Sequence, residues 1–515
     1  MLDITVRWPS LKRVRFLSQQ VDRVNFSITV IVLLSMSIPL LVFPEQSAAV
    51  LKTAYAWIAE TFGWFYILTG AAALAIVLYI GMSRFGKIRL GDGEPEFSTV
   101  SWISMLFAAG IGAGLMYWSG IEWAYYVQAP PFKAEPFSHE AYLWSSSYGL
   151  HHWGFVAWAL YCLPTLAIAY PFYVRRIPQL KYSLSAHYWL KGRERSALAR
   201  LMDSFFMVAL IGGAGSSLGF STPLIAAFIE RLTGIPANFA LELMVVAICV
   251  VVFAGSVWLG LQEGIRRLSN FNIVLALLFL VAVLLASDTL FLLKMAVNSL
   301  GFLFQNTLAM TFWTDPIDNT GFVGDWTVFY WAWWIAYGPF VGLFVTRISR
   351  GRTIREVVVG MLLLGSMGVW LFFLVLGNHS LGLQLSGELD VVGIMQSSGG
   401  NAAVVAGLNT LPMAALIIGV FAVVAVIFVA TTYDSASYTL AATATQSLDA
   451  SEDPPRWHRV FWAVAIAILP IGLMYAGGIK EAQTATLVVS LPLTFTFWLS
   501  GWALLKSLHE DHPAR

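Results

Sequence analysis

Charged residues are scarce in this chain. Only 11% of its 515 residues are Asp, Glu, Lys or Arg, whereas hydrophobic residues make up 58% and the mean hydropathy is +0.73. A soluble domain carries about 25% charged residues, so most of this surface cannot face water. The net charge of +1 also lacks the strongly basic face that nucleic-acid binding requires. The composition therefore predicts a membrane protein that binds no nucleic acid.

Cysteines and catalytic histidine motifs are also scarce. The chain has two cysteines, Cys162 and Cys249, and both lie in apolar stretches, so they suit neither a disulfide framework nor a thiolate metal site. The eight histidines show neither the HExxH nor the HxxEH spacing of metal-dependent hydrolases. No repeated filter loop of the kind that builds an ion channel is visible. These absences argue against an enzyme, a bound cofactor and a channel, and they favour a transporter.

Twelve apolar segments are long enough to cross a membrane, because a hydrocarbon core of about 30 Å needs about 20 helical residues. They lie near residues 25–43, 62–83, 99–119, 148–170, 204–229, 239–261, 269–287, 324–345, 357–381, 411–432, 460–478 and 484–505. With twelve crossings, 25 of the 30 Lys and Arg residues fall on the side of the N-terminus and 5 on the other. Cytoplasmic loops carry such an excess. The sequence predicts an all-α membrane protein with twelve transmembrane helices and both termini in the cytoplasm.

Glycine is concentrated in three of these predicted spans. Gly110, Gly112 and Gly114 alternate in the third span, the fifth contains a run at 212–215, and the eighth ends in a Gly-Pro pair at 338–339. Each Gly costs a helix about 1 kcal/mol relative to Ala. One interpretation is close packing of helices through small residues. The alternate spacing in the third span favours another, an unwound segment whose backbone carbonyls contact a solute or a cation.

Tryptophan and tyrosine form a stripe along the eighth predicted span. Four of the 21 tryptophans fall between residues 326 and 334, and one helical face carries Trp326, Tyr330, Trp333 and Tyr337. Rings at the membrane interface would explain one or two of these residues. The stripe is about 16 Å long, at about 1.5 Å per residue, so it reaches into the bilayer core. The fourth span adds three further rings, those of Trp153, Trp158 and Tyr161.

A group of aromatic rings at membrane depth is typical of a site for a quaternary ammonium. The methyl groups of such a cation donate no hydrogen bonds. Its diffuse charge is attracted to ring faces by about 2 kcal/mol or more per desolvated contact. The aromatic residues therefore predict an aromatic cage for betaine, choline or carnitine.

Several motifs resemble those of the betaine/carnitine/choline transporters. The most specific is WTVFYWAWWIAYGPF (326–340), which is followed by TRISRGRTIRE (346–356). The resemblance extends over nearly the whole chain and includes LFAAGIGAGLMYW (106–118), HWGFVAWALY (152–161), SLGFSTPL (217–224), WTDP (313–316) and TTYDSASYTLA (431–441). The tryptophan run is the distinctive part, because a glycine run alone is a weak signal.

The resemblance implies a LeuT-type fold in a bacterial cytoplasmic membrane. Two five-helix repeats of inverted topology would occupy residues 99–287 and 324–505, joined by an extracellular connecting helix at 288–323. Residues 1–98 would form a retained cytoplasmic segment and two peripheral helices, and residues 506–515 a short cytoplasmic tail. Members of the family form homotrimers, and their other partners are the lipid bilayer and a small zwitterionic solute.

The resemblance also implies a substrate site on the third, fourth and eighth spans. Its expected residues are Tyr125, Trp153, Trp158, Tyr161, Trp326, Trp333, Trp334, Tyr337, Gly110, Gly112 and Gly114. The family's aromatic box maps onto four of them, namely Trp153, Tyr161, Trp333 and Trp334. Gly114 stands where choline-accepting relatives have Asp. A zwitterion such as betaine or carnitine is therefore favoured over choline.

Two patterns conflict on the coupling ion. The glycine run is similar to that of sodium-coupled betaine symporters, whose sodium site would here comprise Ala108, Ile111, Phe428, Thr431 and Thr432. Hydroxyl and carbonyl oxygens suit sodium, although threonine hydroxyls can also bond back to their own helix.

Two other features are similar to those of sodium-independent exchangers. They are the SLGFSTPL motif and a tyrosine, Tyr337, where many members have Trp. An arginine matching Arg266 replaces the ion in those exchangers, and the alternative reading of Arg266 is a loop arginine that obeys the positive-inside rule. We expect sodium symport, with sodium-independent exchange of carnitine and γ-butyrobetaine as the alternative.

Overall fold

The computed structural model describes residues 21–110, 114–193, 196–259, 262–446, 453–476 and 479–513. Within these ranges the side chains at 108–110, 256–259, 262–269 and 479–482 are left out of the description. Every named element in the described ranges is helical, and the extended pairings there are two isolated bridges. The all-α prediction therefore holds for the described part of the chain.

Twenty α-helices lie within the described residues. In chain order they are α1 (Arg23–Val42), α2 (Pro44–Met82), α3 (Thr99–Gly110), α4 (Gly114–Gln128), α5 (His139–His152), α6 (Phe155–Ala169), α7 (His187–Leu190), α8 (Ala197–Thr233), α9 (Phe239–Leu259), α10 (Gln262–Ala286), α11 (Thr289–Phe312), α12 (Phe329–Ile348), α13 (Ile354–Val359), α14 (Ser366–Phe372), α15 (Asn378–Ser386), α16 (Val391–Ser398), α17 (Gly400–Asn409), α18 (Ala414–Thr443), α19 (Arg456–Ala476) and α20 (Ile479–Asp511). Short π-helical turns at Tyr170–Val174, Val323–Val328, Gly360–Gly365 and Phe373–Gly377 continue neighbouring helices.

Nine helical segments in the described ranges are long and apolar enough to cross a membrane. They are Arg23–Val42, Pro44–Met82, His139–Val174, Ala197–Thr233, Val323–Ile348, Ile354–Ser386, Ala414–Thr443, Arg456–Ala476 and Gln483–Asp511. The helices Asn270–Ala286 and Thr289–Phe312 are bent by 113° relative to one another. They form a tenth crossing if they count as one broken span. The chain is therefore a multi-pass membrane protein.

The remaining predicted spans correspond to shorter pieces. The predicted sixth span is the apolar helix Phe239–Gly255. The predicted third span is divided into α3 and α4, which are separated by the undescribed residues 111–113. The count of twelve transmembrane helices stays a prediction.

Two predicted spans differ from the structure in where the helix breaks. The glycine run at 212–215, one of the three glycine-rich segments of the predicted spans, lies within the continuous helix α8. A Cβ atom on Gly212 would lie 2.6 Å from Val489, and one on Gly213 would lie 2.9 Å from Tyr337. Close packing of helices, the alternative interpretation, therefore explains these two glycines.

The fourth predicted span, in contrast, is interrupted, although it is not one of the glycine-rich spans. Helix α5 ends at His152 and α6 begins at Phe155, with Trp153 and Gly154 between them. The backbone of Gly154 is non-helical, with φ −97° and ψ −140°. The break lies in the middle of the segment His139–Val174, so protein groups or a bound molecule must satisfy its freed backbone groups.

Helices α6 and α12 lie side by side in the centre of the molecule. The most apolar 18-residue stretch of Val323–Ile348 is 94% buried and that of His139–Val174 is 89% buried, compared with 28% for α1. Helix α12 also packs against α8 and α20, and α8 packs against α4 and α18. Because the central helices carry most of the predicted aromatic site, that site lies deep in the bundle.

Candidate substrate site

The four residues of the predicted aromatic box lie together. The ring of Trp153 contacts those of Trp334 and Trp333, with centroids 4.7 and 5.8 Å apart. Trp333 and Trp334 are stacked at 5.0 Å with an angle of 9° between their planes, and Tyr161 meets Trp334 edge-on at 5.8 Å. All four side chains are buried. Two crossing helical segments thus present four rings to one another.

The break between α5 and α6 positions Trp153 in this group. It leaves backbone carbonyls without helical partners, and indole N–H groups of other helices satisfy two of them. Trp334 donates to the carbonyl of His152 at 2.8 Å, and Trp370 donates to that of Leu150 at 2.8 Å. Since an unsatisfied backbone group inside a membrane costs several kcal/mol, these two bonds stabilise the break.

A second aromatic group lies on α4 and on the turn that precedes α12. Trp326 is 5.4 Å from Tyr125 and 5.7 Å from Trp118, measured between ring centroids. Tyr330 is 6.2 Å from Trp118 and 5.8 Å from Trp153, so it connects the two groups. The predicted residues Tyr125 and Trp326 therefore lie beside the box without contacting its rings.

Helices α4 and α8 close one side of the box. Phe220 of α8 lies 5.3 Å from Trp333, and the indole N–H of Trp333 donates to the carbonyl of Gly213 at 3.3 Å. A Cβ atom on Gly114 would lie 2.9 Å from the Trp333 ring. Gly114 thus allows the ring to approach α4. Phe220 belongs to the SLGFSTPL motif, but its contact with Trp333 was not predicted from the sequence.

Two predicted site residues, Trp158 and Tyr337, lie at the margin of the box, away from its three tryptophan rings. Trp158 contacts the ring of Tyr161 and packs against Gly365 of the predicted ninth span. Tyr337 donates a hydrogen bond of 3.1 Å to the hydroxyl of Ser217 and packs against Gly213. Neither ring is in contact with Trp153, Trp333 or Trp334 among the described ring pairs.

Glu122 of α4 is a residue that the sequence analysis missed. Its side chain is 1% exposed and lies beside the box. One carboxylate oxygen, Oε2, accepts from Trp153 Nε1 at 3.0 Å and from the Tyr330 hydroxyl at 2.6 Å. The other, Oε1, accepts from the Tyr126 hydroxyl at 2.5 Å. A single acidic residue within the apolar sequence Gly114–Gln128 was the available signal, because ionisable residues at membrane depth are usually functional.

His152, at the end of α5, extends this network. Its Nδ1 is 2.8 Å from the Tyr126 hydroxyl and 3.7 Å from Oε1 of Glu122, and its Nε2 is 3.0 Å from the Thr327 hydroxyl. Because the Tyr126 hydroxyl donates to Glu122, its oxygen accepts from Nδ1–H of His152. The carboxylate, the phenol and the imidazole therefore form one hydrogen-bonded chain.

The predicted sodium residues are only partly described. Ile111 lies outside the described residues, and so does the side chain of Ala108. The same holds for Gly112 of the predicted substrate site and for the side chain of Arg266, the predicted alternative to the ion. Gly110 is the last residue of α3.

The other three predicted sodium residues lie on α18, which packs against α3. Thr431 donates to the carbonyl of Ile427 in its own helix at 2.9 Å. The buried hydroxyl of Thr432 has no hydrogen-bond partner among the described residues, and Phe428, one turn earlier in the same helix, is buried as well. One hydroxyl is thus engaged by its helix and one remains available.

The arrangement as a whole can bind a soft cation. Aromatic faces attract a quaternary ammonium, and a carboxylate behind Trp153 adds negative potential. The rings contact one another, so a solute that enters between them must displace at least one. The fold and the site define a multi-pass membrane protein with a group of buried aromatic rings beside a buried carboxylate.

Comparisons with known proteins agree with this class. The model of the betaine/carnitine/choline family of transporters matches residues 24–513. The chain belongs to this family, as the sequence motifs predicted. It is 36% identical to the uncharacterized transporter YeaV of Escherichia coli (strain K12) over 85% of this chain and 92% of that protein. It is 33% identical to a carnitine transporter of Acinetobacter baumannii over 92% of this chain and 86% of that protein.

Solved structures give a more distant match. A Na⁺-coupled sialic acid symporter in a substrate-bound outward-open state superimposes with a TM-score of 0.46 and 14% identity. The match covers 85% of this chain and 86% of that one.

Proposed function

We propose that this protein is a secondary transporter of small trimethylammonium zwitterions and not an enzyme. The observation that carries the proposal is the group of four buried rings formed by Trp153, Tyr161, Trp333 and Trp334 on two crossing helical segments. A cage of this kind suits a cation that donates no hydrogen bonds. Since the rings contact one another, substrate entry requires a conformational change, as expected of alternating access.

Carnitine and betaine are the substrates that we favour. A carnitine transporter is among the relatives, at 33% identity over nearly the whole chain. Gly114 lies against Trp333, so this position adds no second carboxylate to the one that Glu122 places behind Trp153. A zwitterion brings its own carboxylate, whereas choline does not. This supports a zwitterion over a bare cation.

Sodium symport is the coupling that we propose. It is supported by the buried hydroxyl of Thr432, which lacks a partner among the described residues on a helix that packs against α3. Sodium prefers hard oxygen ligands of this kind. Sodium-independent exchange is the second candidate, and it is favoured by Thr431, whose hydroxyl donates to its own helix. In that case Arg266 would replace the ion.

The remaining architecture is also part of this proposal. It comprises twelve transmembrane helices, a LeuT-type pair of inverted repeats at 99–287 and 324–505, and a homotrimer in a bacterial cytoplasmic membrane. Contacts between loops support the two predicted faces. Segments predicted on the cytoplasmic face contact one another in the pairs Val21–Thr445, Arg89–Thr353 and Arg175–Asp511. Segments predicted on the opposite face do so in the pairs Lys133–Asp318, Gln128–Gln396 and Arg231–Asn409.

Uptake by proteoliposomes tests substrate and coupling together. Labelled betaine, carnitine, γ-butyrobetaine and choline are supplied with an inward sodium gradient or an equal potassium gradient. Symport predicts that sodium accelerates uptake of a zwitterion and that Thr432→Ala removes the acceleration. Equal uptake with both cations, together with a new sodium requirement in Arg266→Ala, would identify the exchanger instead.

A further inference from the structure

Glu122 is a buried carboxylate that has no Lys or Arg ion-pair partner among the residues that the structure describes. Within the described residues, the basic group within 4.0 Å of it is the imidazole of His152 at 3.7 Å. Its hydrogen-bond donors are the neutral groups of Trp153, Tyr330 and Tyr126. These donors satisfy the oxygen atoms but do not cancel the charge. A carboxylate in such a place is costly unless a cation or a proton neutralises it.

The position of Glu122 relative to the rings identifies which cation would do so. Two of its three donors are part of the aromatic site: Trp153 is a box residue, and Tyr330 lies 5.8 Å from both Trp153 and Trp334. We propose that Glu122 is the counter-ion of the substrate's trimethylammonium group, and that a proton takes its place when the substrate is absent. This proposal rests on the function proposed above for the same site.

Two physical effects connect the carboxylate to the bound cation. The first is direct attraction: at about 8 Å and an effective dielectric constant of about 20, two opposite charges attract by an amount that corresponds to about 30-fold in affinity. The second acts through Trp153. An indole N–H that donates to a carboxylate has a more electron-rich ring, which attracts a cation more strongly. Glu122 is thus a specificity-determining and positioning residue that need not touch the substrate.

Several titratable groups face Glu122 from the elements packed around it. Tyr126 belongs to the same helix, Tyr330 to α12 and His152 to α5. Tyr148 and His151 of α5 lie around His152, with ring centroids 5.0 and 5.8 Å away. The predicted ninth span contributes the apolar ring of Phe373, which packs with Glu122 against Gly149. The carboxyl of Glu122 and the imidazole of His152 share the Tyr126 hydroxyl, so the experiment below replaces each of the two groups separately.

The proposal has a definite sign with respect to pH. The cation binds more tightly to the ionised carboxylate, so affinity should fall as acidification protonates Glu122 and should rise with increasing pH. By linkage, substrate binding then releases protons. A purely structural hydrogen-bonding role would not produce this dependence.

The experiment compares binding of a trimethylammonium zwitterion with binding of its neutral isostere, in which a tert-butyl group replaces the trimethylammonium. Purified wild type, Glu122→Gln, Glu122→Asp and His152→Gln are titrated with each compound between pH 5.5 and 8.5, and the exposed Glu60→Gln serves as the control. Size-exclusion elution and thermal unfolding confirm that each variant is folded.

We expect Glu122→Gln to lose about 10- to 30-fold in affinity for the cation, little for the isostere, and all of the pH dependence. Glu122→Asp should restore part of the preference for the cation, and His152→Gln should retain the pH dependence. Equal losses for cation and isostere in Glu122→Gln, or wild-type affinity in that variant, would overturn the proposal. So would loss of the pH dependence in His152→Gln alone. If the wild type binds no trimethylammonium compound at all, the proposed function fails instead.

Discussion

At the scale of single residues, the aromatic box is the group of rings that we propose to hold the substrate. Trp333 and Trp334 are adjacent in sequence, and their ring planes stack nearly parallel. Both rings contact Trp153. Each indole N–H also donates a hydrogen bond to a backbone carbonyl: Trp333 donates to Gly213 and Trp334 to His152. The edges of the two rings thus fix the helices. Their faces stack on each other and on Phe329 and Tyr330, so a cation reaches a ring face only by displacing a neighbouring ring.

Removing a ring from the box should weaken substrate binding. Trp333→Leu or Trp334→Leu should each cost at least about 1–2 kcal/mol of binding free energy, the loss of a desolvated cation–π contact. The variants Trp333→Phe and Trp334→Phe keep a ring and should lose less. Trp57→Leu, at a ring that is 57% exposed, is the matched control. Equilibrium binding of carnitine or betaine to purified protein measures the effect, and wild-type affinity in both Leu variants would show that the substrate binds elsewhere.

The sequence predicted these residues better than it predicted their neighbours. The spacing of the stripe assigns Trp326, Tyr330, Trp333 and Tyr337 to one face, but a face about 16 Å long contacts more than one partner. Tyr337 consequently lies at α8, where it donates to Ser217. Glu122 was not predicted, because a lone acidic residue has no periodicity that marks it, unlike the aromatic and glycine patterns. Its partners become visible only when three helices are brought together.

At the scale of elements, breaks in helices were harder to predict than helices. The glycine run at 212–215 remains helical because Val489 and Tyr337 fill the space beside it. The break at Trp153–Gly154 follows from tertiary hydrogen bonds that a one-dimensional pattern does not contain. Local composition indicates where a helix is weak. Whether it opens depends on the groups that are available to satisfy its backbone.

The loop between α12 and α13 offers a test of local backbone geometry. Gly351 has φ +82°, and a Cβ atom there would lie 2.5 Å from the carbonyl oxygen of Glu94. Gly93 has φ +89° with open space around it. Gly93→Ala should therefore cost about 1–2 kcal/mol for its left-handed backbone, and Gly351→Ala should cost distinctly more. Thermal unfolding in detergent compares the two, and equal losses would mean that the contact with Glu94 relaxes freely.

A second element links the loop after α6 to the last helix, α20. His187 is buried there, and its Nε2 accepts from Arg175 at 3.1 Å and from Ser507 at 3.0 Å. Burial, followed by the positive charge of Arg175, lowers the pKa of His187 from 6.5 to about 4. The folded state therefore binds this proton less readily than the unfolded state.

This difference predicts a loss of stability on acidification. Above pH 6.5 His187 is neutral in both the folded and the unfolded state, so the free energy of unfolding is unchanged. Between pH 6.5 and about 4 the unfolded state gains the proton first, and the free energy of unfolding falls. The total loss would be on the order of 3 kcal/mol at pH 4. His187→Gln, which cannot titrate, should show a smaller drop in melting temperature between pH 7.5 and 4.5 than the wild type. An equal drop in both proteins would contradict this assignment.

At the scale of the whole molecule, the uneven distribution of Lys and Arg predicts the orientation in the membrane. Both cysteines are buried, so the wild type provides a background without an exposed thiol. Glu94→Cys and Ser398→Cys place single thiols on exposed positions of opposite predicted faces. In intact cells a membrane-impermeant maleimide should label Ser398→Cys, and it should label Glu94→Cys only after permeabilisation. The reverse pattern would invert the proposed topology.

Counterflow in proteoliposomes tests whether the protein is a carrier that transports a trimethylammonium solute. Vesicles loaded with unlabelled carnitine or betaine are diluted into a trace of the labelled compound. A carrier predicts a transient accumulation of unmodified label above its equilibrium level, because each inward step is coupled to an outward one. The accumulation should be much smaller with Trp333→Leu. Chemical modification of the label, equilibration without an overshoot, or no uptake of betaine, carnitine, γ-butyrobetaine and choline by folded protein would contradict the account.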